Sequence, residues 1–519
     1  MAEEPRIINT FQQRRQLEEA LAALAATQSE ADLIEQVRAI ADRFAVDLLV
    51  AAVQRNLGTT SSQVRGGLGH LCALLPPDLI VPTLRVVVAD RQHAALQRTT
   101  AALILERYLG ETVSPALMGD LAGSDDAAFQ SLLEAIEEGR TNRHVLLEYV
   151  TQMAEHPVDV AFMVLGLLDR LAPADRVDLL RLIAQDHRHQ VARVALDRLA
   201  LLAAAEAGET AHAALYALAQ TLSPALAELC ERSLRKLQFT GRRYLPPVPA
   251  GWHALLSAAD TGGFLTLWFV HDVTDPARED GALLAFVLAP VDGVLQFSGV
   301  ETMEQTQLPS HRDVGDLVNF DNGGGKPALL LQIPFDVGRA LVSQTLDAWW
   351  ARDAQADLPG EYKLYNDLLW QYAPPQMPAA LAALLADDAT TGLEEPDFAA
   401  LEVAAGALIE HPIFAAWVGW ATAVWSTLQP ARSGDGSVNT VALTGVVLRE
   451  IDGLPNRSLL QTTMASALRM QALWLALHHE TEMSSHATLL AHWMTALPVR
   501  KNPLLAGLLH AGLERTLRA

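Results

Sequence analysis

The densest run of titratable side chains is Leu477-His478-His479-Glu480-Thr481-Glu482-Met483-Ser484-Ser485-His486, with His492 beyond it. On a continuous helix His479, Glu482 and His486 fall at i, i+3 and i+7 of one face, and two imidazoles with a carboxylate are donors that Zn or Fe accept. A full coordination shell needs further ligands from a neighbouring helix, for which Glu410 and His411 are the obvious suppliers. Ser484-Ser485 supplies the competing reading, a break that leaves the run as a polar loop. With a donor set this sparse, the expectation is a protein that holds no stoichiometric transition metal and no other cofactor.

Two loops invite catalytic readings. His311-Arg312-Asp313, followed by Asn319 and Asp321, resembles the catalytic loop of protein kinases, in which the aspartate takes the substrate proton and the asparagine holds metal. Asn319 lies one residue too far from Asp313, and no glycine-rich loop or strand lysine precedes it, so a solvated loop is expected. Asn322-Gly323-Gly324-Gly325-Lys326-Pro327 offers consecutive amides and a lysine to an anion. A phosphate cradle needs Ser or Thr after the lysine and a helix behind it, whereas proline and a strand follow here. Trp349, Trp350, Tyr362, Tyr365, Trp370 and Tyr372 could frame a pocket with Asp321 and Lys326, but the helical spacing of Tyr362, Tyr365 and Leu369 favours core. No Gly-x-Ser-x-Gly, His-Glu-x-x-His or Cys-x-x-Cys pattern occurs. The sequence therefore offers no catalytic residues.

The elements that carry these residues begin with a repeat. Val64, Leu96, Ala128, Val160 and Ala192 stand 32 residues apart, and each opens an apolar stripe at i, i+4, i+7 and i+8. Pro76-Pro77, Gly123-Ser124-Asp125, His156-Pro157, Ala172-Pro173 and Gly208 cut the pattern at intervals that no single helix tolerates. A stack of helix pairs over residues 1–240 is expected, closed by a terminal unit in which the stripe slips by two residues to Leu226, Cys230, Ser233 and Leu234.

Pro77 to Gly110, with Asp90 between apolar runs and Gln97-Arg98 opening the second, resembles a HEAT-type repeat, as does Asp186 followed by Val191, Arg193, Ala195 and Leu199. Gln63 to Leu68 is a partial match. The units around Ala128 and Val160 lack the aspartate and arginine, so the resemblance is to a degenerate member of the HEAT and armadillo class and covers less than half of the chain. That class implies an α-solenoid scaffold that holds other proteins. Arg65, Arg98 and Arg193 would then serve a partner's carboxylates or, as is commoner, pair within the stack.

Arg242 to Pro249 reads as a stiff proline-rich linker. Beyond it the period shortens: Phe264–Val270, Leu283–Leu288, Val294–Val300 and Leu329–Ile333 read as strands, with Asp292-Gly293 turning a hairpin, and Val337–Trp350 resumes a helical period. Residues 241–378 are expected to be an α+β domain with an antiparallel sheet, and residues 379–519 a helical bundle. The expected fold class is thus mainly α, with a HEAT-like α-solenoid, a middle α+β unit and C-terminal helices.

The chain has 519 residues, 50% of them hydrophobic, and a formal net charge of -23. No part of it is basic, which argues against a nucleic-acid partner, since binding phosphates calls for clustered Lys and Arg. Cys72 and Cys230 both sit on apolar stripes and read as core residues of a reducing compartment. Ile413–Leu428 is uncharged but too short and too rich in Ala, Thr, Ser and Trp to span a bilayer, and the acidic start is unlike a secretory signal. Scarce lysine, frequent arginine and much alanine fit a GC-rich bacterial source. These observations together point to an acidic cytoplasmic protein with a protein partner along the repeat surface, with no membrane and no nucleic acid. An enzyme or small-ligand module centred on the α+β domain is the alternative.

Overall fold

The computed structural model describes residues 4–27, 29–59, 61–90, 92–111, 124–205, 208–272, 280–289, 292–320, 328–354, 356–386, 395–428 and 440–518. The chain is mainly helical, with a six-stranded antiparallel sheet in its middle and helices after it. It divides into two compact units, residues 1–211 and 212–519.

The first unit is built from α1 (Glu4–Ala23), α2 (Glu30–Arg43), α3 (Val46–Asn56), α4 (Ser62–Leu74), α5 (Pro77–Ala89), α6 (Ala95–Leu103), α7 (Ser124–Gly139), α8 (His144–Glu155), α9 (Val158–Leu168), α10 (Pro173–Ile183) and α11 (His189–Ala203). The prolines that interrupt the repeat begin helices: Pro77 and Pro173 occupy the first turn, where the missing N–H has no partner to lose. Alternate helices form two layers. Helix α1 packs on α3 and α3 on α5, while α2 packs on α4, and in the second half α8 meets α10 as α7 and α11 meet α9. One continuous core runs through α1 to α6, so no helix pair buries its stripe alone.

The 32-residue register predicts that core well. Leu68, Leu71, Cys72, Leu132, Leu168, Ala192 and Leu199 are fully buried. Leu103 is the clear exception, at 42% exposure. Ala101, Ala102, Ile104 and Leu105 face the core around it, and at Ile104–Tyr108 α6 passes into a π-helical turn. Polar rungs tie successive pairs together. Arg65 reaches Glu134 at 3.1 Å, Arg188 grips buried Asp186 at 2.6 Å and donates to His156 O at 2.7 Å, and Arg98, itself buried, donates to Val88 O. Arg65 and Arg98 therefore pair within the stack, whereas Arg193 is exposed and has no polar partner among the described residues.

The second unit holds α12 (Glu209–Ala219) from His212 onward, α13 (Pro224–Phe239), and a sheet of β1 (Trp252–Leu256), β2 (Leu265–His271), β3 (Asp280–Ala289), β4 (Gly293–Glu304), β5 (Leu317–Phe320) and β6 (Ala328–Ile333) in the order β4-β3-β2-β1-β6-β5. The hairpin turns at Asp292 and Gly293, whose φ of +108° suits glycine alone and whose Cα lies against the Trp349 ring. One sheet face carries Phe269, Phe286 and Phe297 under α14 (Phe335–Arg352) and α15 (Gly360–Trp370). Gly338 permits that approach, because a Cβ there would stand 2.9 Å from the Phe269 ring. The opposite face buries a smaller cluster of Leu255, Val270, Val318 and Leu330 beneath Leu308, in the connection from β4 to β5.

The C-terminal helices are α16 (Ala379–Leu385), α17 (Phe398–Glu410), α18 (Ala415–Leu428), α19 (Thr440–Gly453), α20 (Arg457–Leu477), α21 (Thr481–Ala496) and α22 (Pro503–Arg518). Side-chain donors lock them to the β1–β2 connection. Trp474 Nε1 donates to Leu256 O at 3.1 Å, while Gln471 Nε2 at 2.6 Å and Trp417 Nε1 at 3.0 Å both donate to Ala259 O. Trp417 and Trp425 of α18 are buried, so the uncharged run is a core helix. Among the described residues no single helix is long and apolar enough to cross a membrane, and α17 with α18 pass that length test only as a pair bent by 82°.

Candidate histidine and carboxylate cluster

Helix α20 ends at Leu477, His478 caps it, and His479 adopts φ +65° before α21 opens at Thr481. The chain therefore reverses inside the histidine run. His479 lies outside the helix that carries Glu482 and His486, and the common face expected for these three residues does not form. The competing expectation of a break at Ser484-Ser485 fails as well, because both lie within α21 and Ser484 Oγ donates to Ala472 O across the helix pair. Glu482 is exposed, and His486 Nδ1 is buried without a hydrogen bond among the described residues.

The turn brings together a different set. Glu480 stands 2.8 Å from His411 Nε2 through Oε2 and 3.7 Å from His478 Nε2 through Oε1. His478 Nδ1 lies 2.7 Å from Gly315 O, an oxygen that only accepts, so Nδ1 carries a proton. Its Nε2 edge then faces the carboxylate across the 3.7 Å gap. His411 is fixed from the other side: its Nδ1 accepts from Ile413 N, which places its proton on Nε2, facing Glu480. A metal on His411 Nε2 would displace that proton and leave two N–H groups opposed at Ile413. The geometry therefore suits proton sharing, and among the described residues no group of three or more His, Cys, Asp or Glu is arranged to hold a metal ion. Glu410 is exposed and takes no part.

A second group lies on the sheet. His253 of β1 is buried, its Nδ1 is 3.2 Å from Asp272 Oδ2 just past β2, and its ring stacks on His311 with centroids 4.7 Å apart. The contact with Asp272 has ion-pair distance without hydrogen-bond alignment, and neither ring nitrogen of His253 finds an aligned partner among the described residues. Burial opposes ionisation of Asp272, but the His253 ring, Gln305 Nε2 at 3.1 Å and the charge of His311 outweigh it and hold the carboxyl below its ordinary range. A carboxylate beside a buried imidazole is one part of an acid–base site, although no aligned hydrogen bond joins the two among the described residues. No hydroxyl or thiol is hydrogen-bonded to either imidazole among the described residues, so the nucleophilic half is missing.

Both groups clasp the connection from β4 to β5. His311 belongs to it, Arg312 N donates to Gln332 Oε1 at 3.4 Å, Gly315 N donates to Gln332 O at 2.9 Å, and Gly315 O meets His478. Asp313 is exposed in that connection, as the solvated-loop reading expects, whereas Asn319, also exposed, lies on β5 opposite Leu329. The glycine loop with Asp321 and Lys326 lies outside the described residues. Tyr362, Tyr365, Trp370 and Tyr372 are buried, and Trp370 Nε1 donates to the Tyr362 hydroxyl at 2.9 Å, which makes these aromatics core. A cavity of about 130 Å³ lined by Leu265, Leu288, Leu341, Gln344, Thr345, Leu385, Ser466, Arg469 and Met470 contains none of the histidines. Cys72 and Cys230 are free and buried, and burial pushes each thiol up to about 12. Neither is a thiolate nucleophile at neutral pH.

Sequence spacing missed His253, Asp272 and His311 because they come from a strand, a strand end and a loop, and it missed Glu480 as a hub because the turn at His479 reverses the faces. The one available signal was the non-glycine residue pair His478-His479 next to an acid, which a helix C-terminus tolerates better than its interior. No protein-family model matches this chain, and no curated protein or solved structure matches it.

Proposed function

We propose that residues 1–211 form a degenerate HEAT-type α-solenoid that acts as a scaffold for a protein partner in the cytoplasm. The observation that carries the reading is the two-layer helix stack, whose core is continuous through α1 to α6. Exposed Val86, Leu201 and unpaired Arg193 supply apolar and cationic contacts on that surface, and the acidic balance of the chain disfavours phosphate backbones. The test is to express residues 1–211, which have their own core, and to verify a helical far-UV spectrum and a cooperative melt. A protein from the source cell that binds saturably to this fragment, and loses affinity on Arg193→Glu or Leu201→Asp, supports the scaffold. Tight, salt-sensitive binding to DNA or RNA, or a predominantly sheet spectrum, overturns it.

The enzyme or ligand-module reading draws its support from the His253, Asp272 and His311 group. Its lack of a bonded nucleophile and its separation from the cavity place it second.

A further inference from the structure

We propose that residues 243–249 are a docking peptide for a protein module that has an aromatic-walled polyproline groove and an acidic pocket beside it, the type represented by SH3 domains. The proposal is independent of the role of the helical stack.

Pro246, Pro247 and Pro249 fix φ near -65° at their own positions, and each proline pushes the residue before it toward extended or polyproline backbone, so 245 to 249 are restricted to the polyproline II region. That helix has three residues per turn. Leu245 and Val248 therefore share one edge, Arg243, Pro246 and Pro249 a second, and Tyr244 and Pro247 the third. The dipeptides Leu245-Pro246 and Val248-Pro249 form two like knobs one turn apart, about 9 Å along the axis. Arg243 stands half a turn or more ahead of the first. Two apolar-proline steps with a preceding cation fit a groove with two aromatic slots and one carboxylate pocket.

The molecule presents this peptide ready to bind. Leu245 is 74% exposed and Val248 84% exposed, a large apolar display for a loop. Pro246 and Pro249 are half-buried, and Arg243 is exposed with no polar partner among the described residues. Among the described residues, none forms a backbone hydrogen bond with residues 243–250, so their carbonyls remain open to donors from a groove. Tyr244, on the third edge, supplies the tether: its hydroxyl donates to Gln371 O at 3.0 Å and its ring lies 4.6 Å from that of Tyr216. Gly241 at φ +84° and Gly251 at φ +75° turn the chain at either end of the segment. Anchoring at Tyr244 leaves Leu245, Pro247 and Val248 outward, with Pro246 and Pro249 half-buried beside them, and reduces the ordering cost of binding.

The test titrates the purified full-length chain, by calorimetry, with isolated SH3 domains that select an arginine ahead of the proline core. The expected result is one saturable site per chain, weakened at least about tenfold by Arg243→Glu and by the double variant Pro246→Ala/Pro249→Ala, and changed less than about threefold by Pro247→Ala. Unchanged tryptophan fluorescence and melting of the variants separate lost docking from lost folding. The proposal is overturned if the full chain binds none of these domains, including the case in which a free peptide of residues 240–252 binds them. It is equally overturned if binding survives Arg243→Glu and the double proline variant.

Discussion

Ala259 O receives two buried donors, Trp417 Nε1 and Gln471 Nε2, and this shared acceptor makes the docking of the C-terminal helices on the sheet measurable. Gln471→Leu removes one hydrogen bond, worth about 1 kcal/mol net. The same change removes Gln471 Oε1, which is buried without a partner and carries a desolvation penalty of about 1–3 kcal/mol. The single variant should therefore be close to neutral or slightly more stable. Trp417→Phe loses one bond and part of a fully buried ring, about 2–3 kcal/mol in all, while Gln471 still holds the carbonyl. In the double variant Ala259 O has lost both donors, and its own desolvation cost appears only then. The double-mutant cycle should show an extra destabilisation of about 1–3 kcal/mol beyond the sum of the singles. All 10 tryptophans lie in the second unit, so urea unfolding followed by indole fluorescence reports that unit without interference from the first. Additive singles, or a Gln471→Leu variant that costs 2 kcal/mol or more on the scale of about 1 kcal/mol per hydrogen bond, would refute the reasoning.

Three further outcomes are expected. Asp272 is held below its ordinary range in the folded chain, so its contribution to stability is present above the unfolded value of about 3.9 and is lost as pH falls through the folded one; Asp272→Asn should be less stable near pH 7, and the two unfolding midpoints should draw together on acidification. A gap that stays constant from about pH 7 to about pH 3 counts against the pairing with His253. In the first unit Leu105→Ala should cost about 2–5 kcal/mol and Leu103→Ser within about 0.5 kcal/mol, measured by the melt of residues 1–211, whereas the reverse order would contradict the burial of Leu105 and the exposure of Leu103. Elemental analysis of untagged protein should find well under one equivalent of Zn or Fe, and a full equivalent that disappears on His486→Ala would contradict the separation of His479 from the helix that carries Glu482 and His486.

The local signals that sequence carries were legible here, and they stop where the chain meets itself at long range. Periodicity found the helical stripes, since Leu68, Leu132 and Leu199 are core for the reason that their spacing states, and it failed at Leu103, which lies on the exposed side of α6 beside buried Ala102 and Ile104. Alternation found β2, β3, β4 and β6. It missed β1, in which His253 to Leu256 are all buried, and it missed β5, which has only four residues. The β3–β4 hairpin followed from Asp292-Gly293 because positive φ is a residue property.

The candidate site resisted prediction for a related reason. Its geometry depends on His479, a residue that local rules assign to helix and that instead takes the left-handed conformation, which turns Glu480 back toward His411 and His478. Arg339 shows the same limit in the core. It is 1% exposed, among the described residues only its Nη1 has hydrogen-bond partners, Asp336 at 3.0 Å and Ala373 O at 2.9 Å, and Phe335, Trp370 and Tyr372 surround the cation. Burial pulls its pKa below the usual arginine value, yet aromatic faces and one carboxylate keep it charged. Helical spacing places Arg339 three residues after Asp336 and reads the two as an ordinary surface pair. Only the rings of Trp370 and Tyr372, more than 30 residues away, make it the buried centre of the helix layer. The residues that most constrain this molecule are thus polar groups whose surroundings come from afar, and they are the ones a single sequence identifies least well.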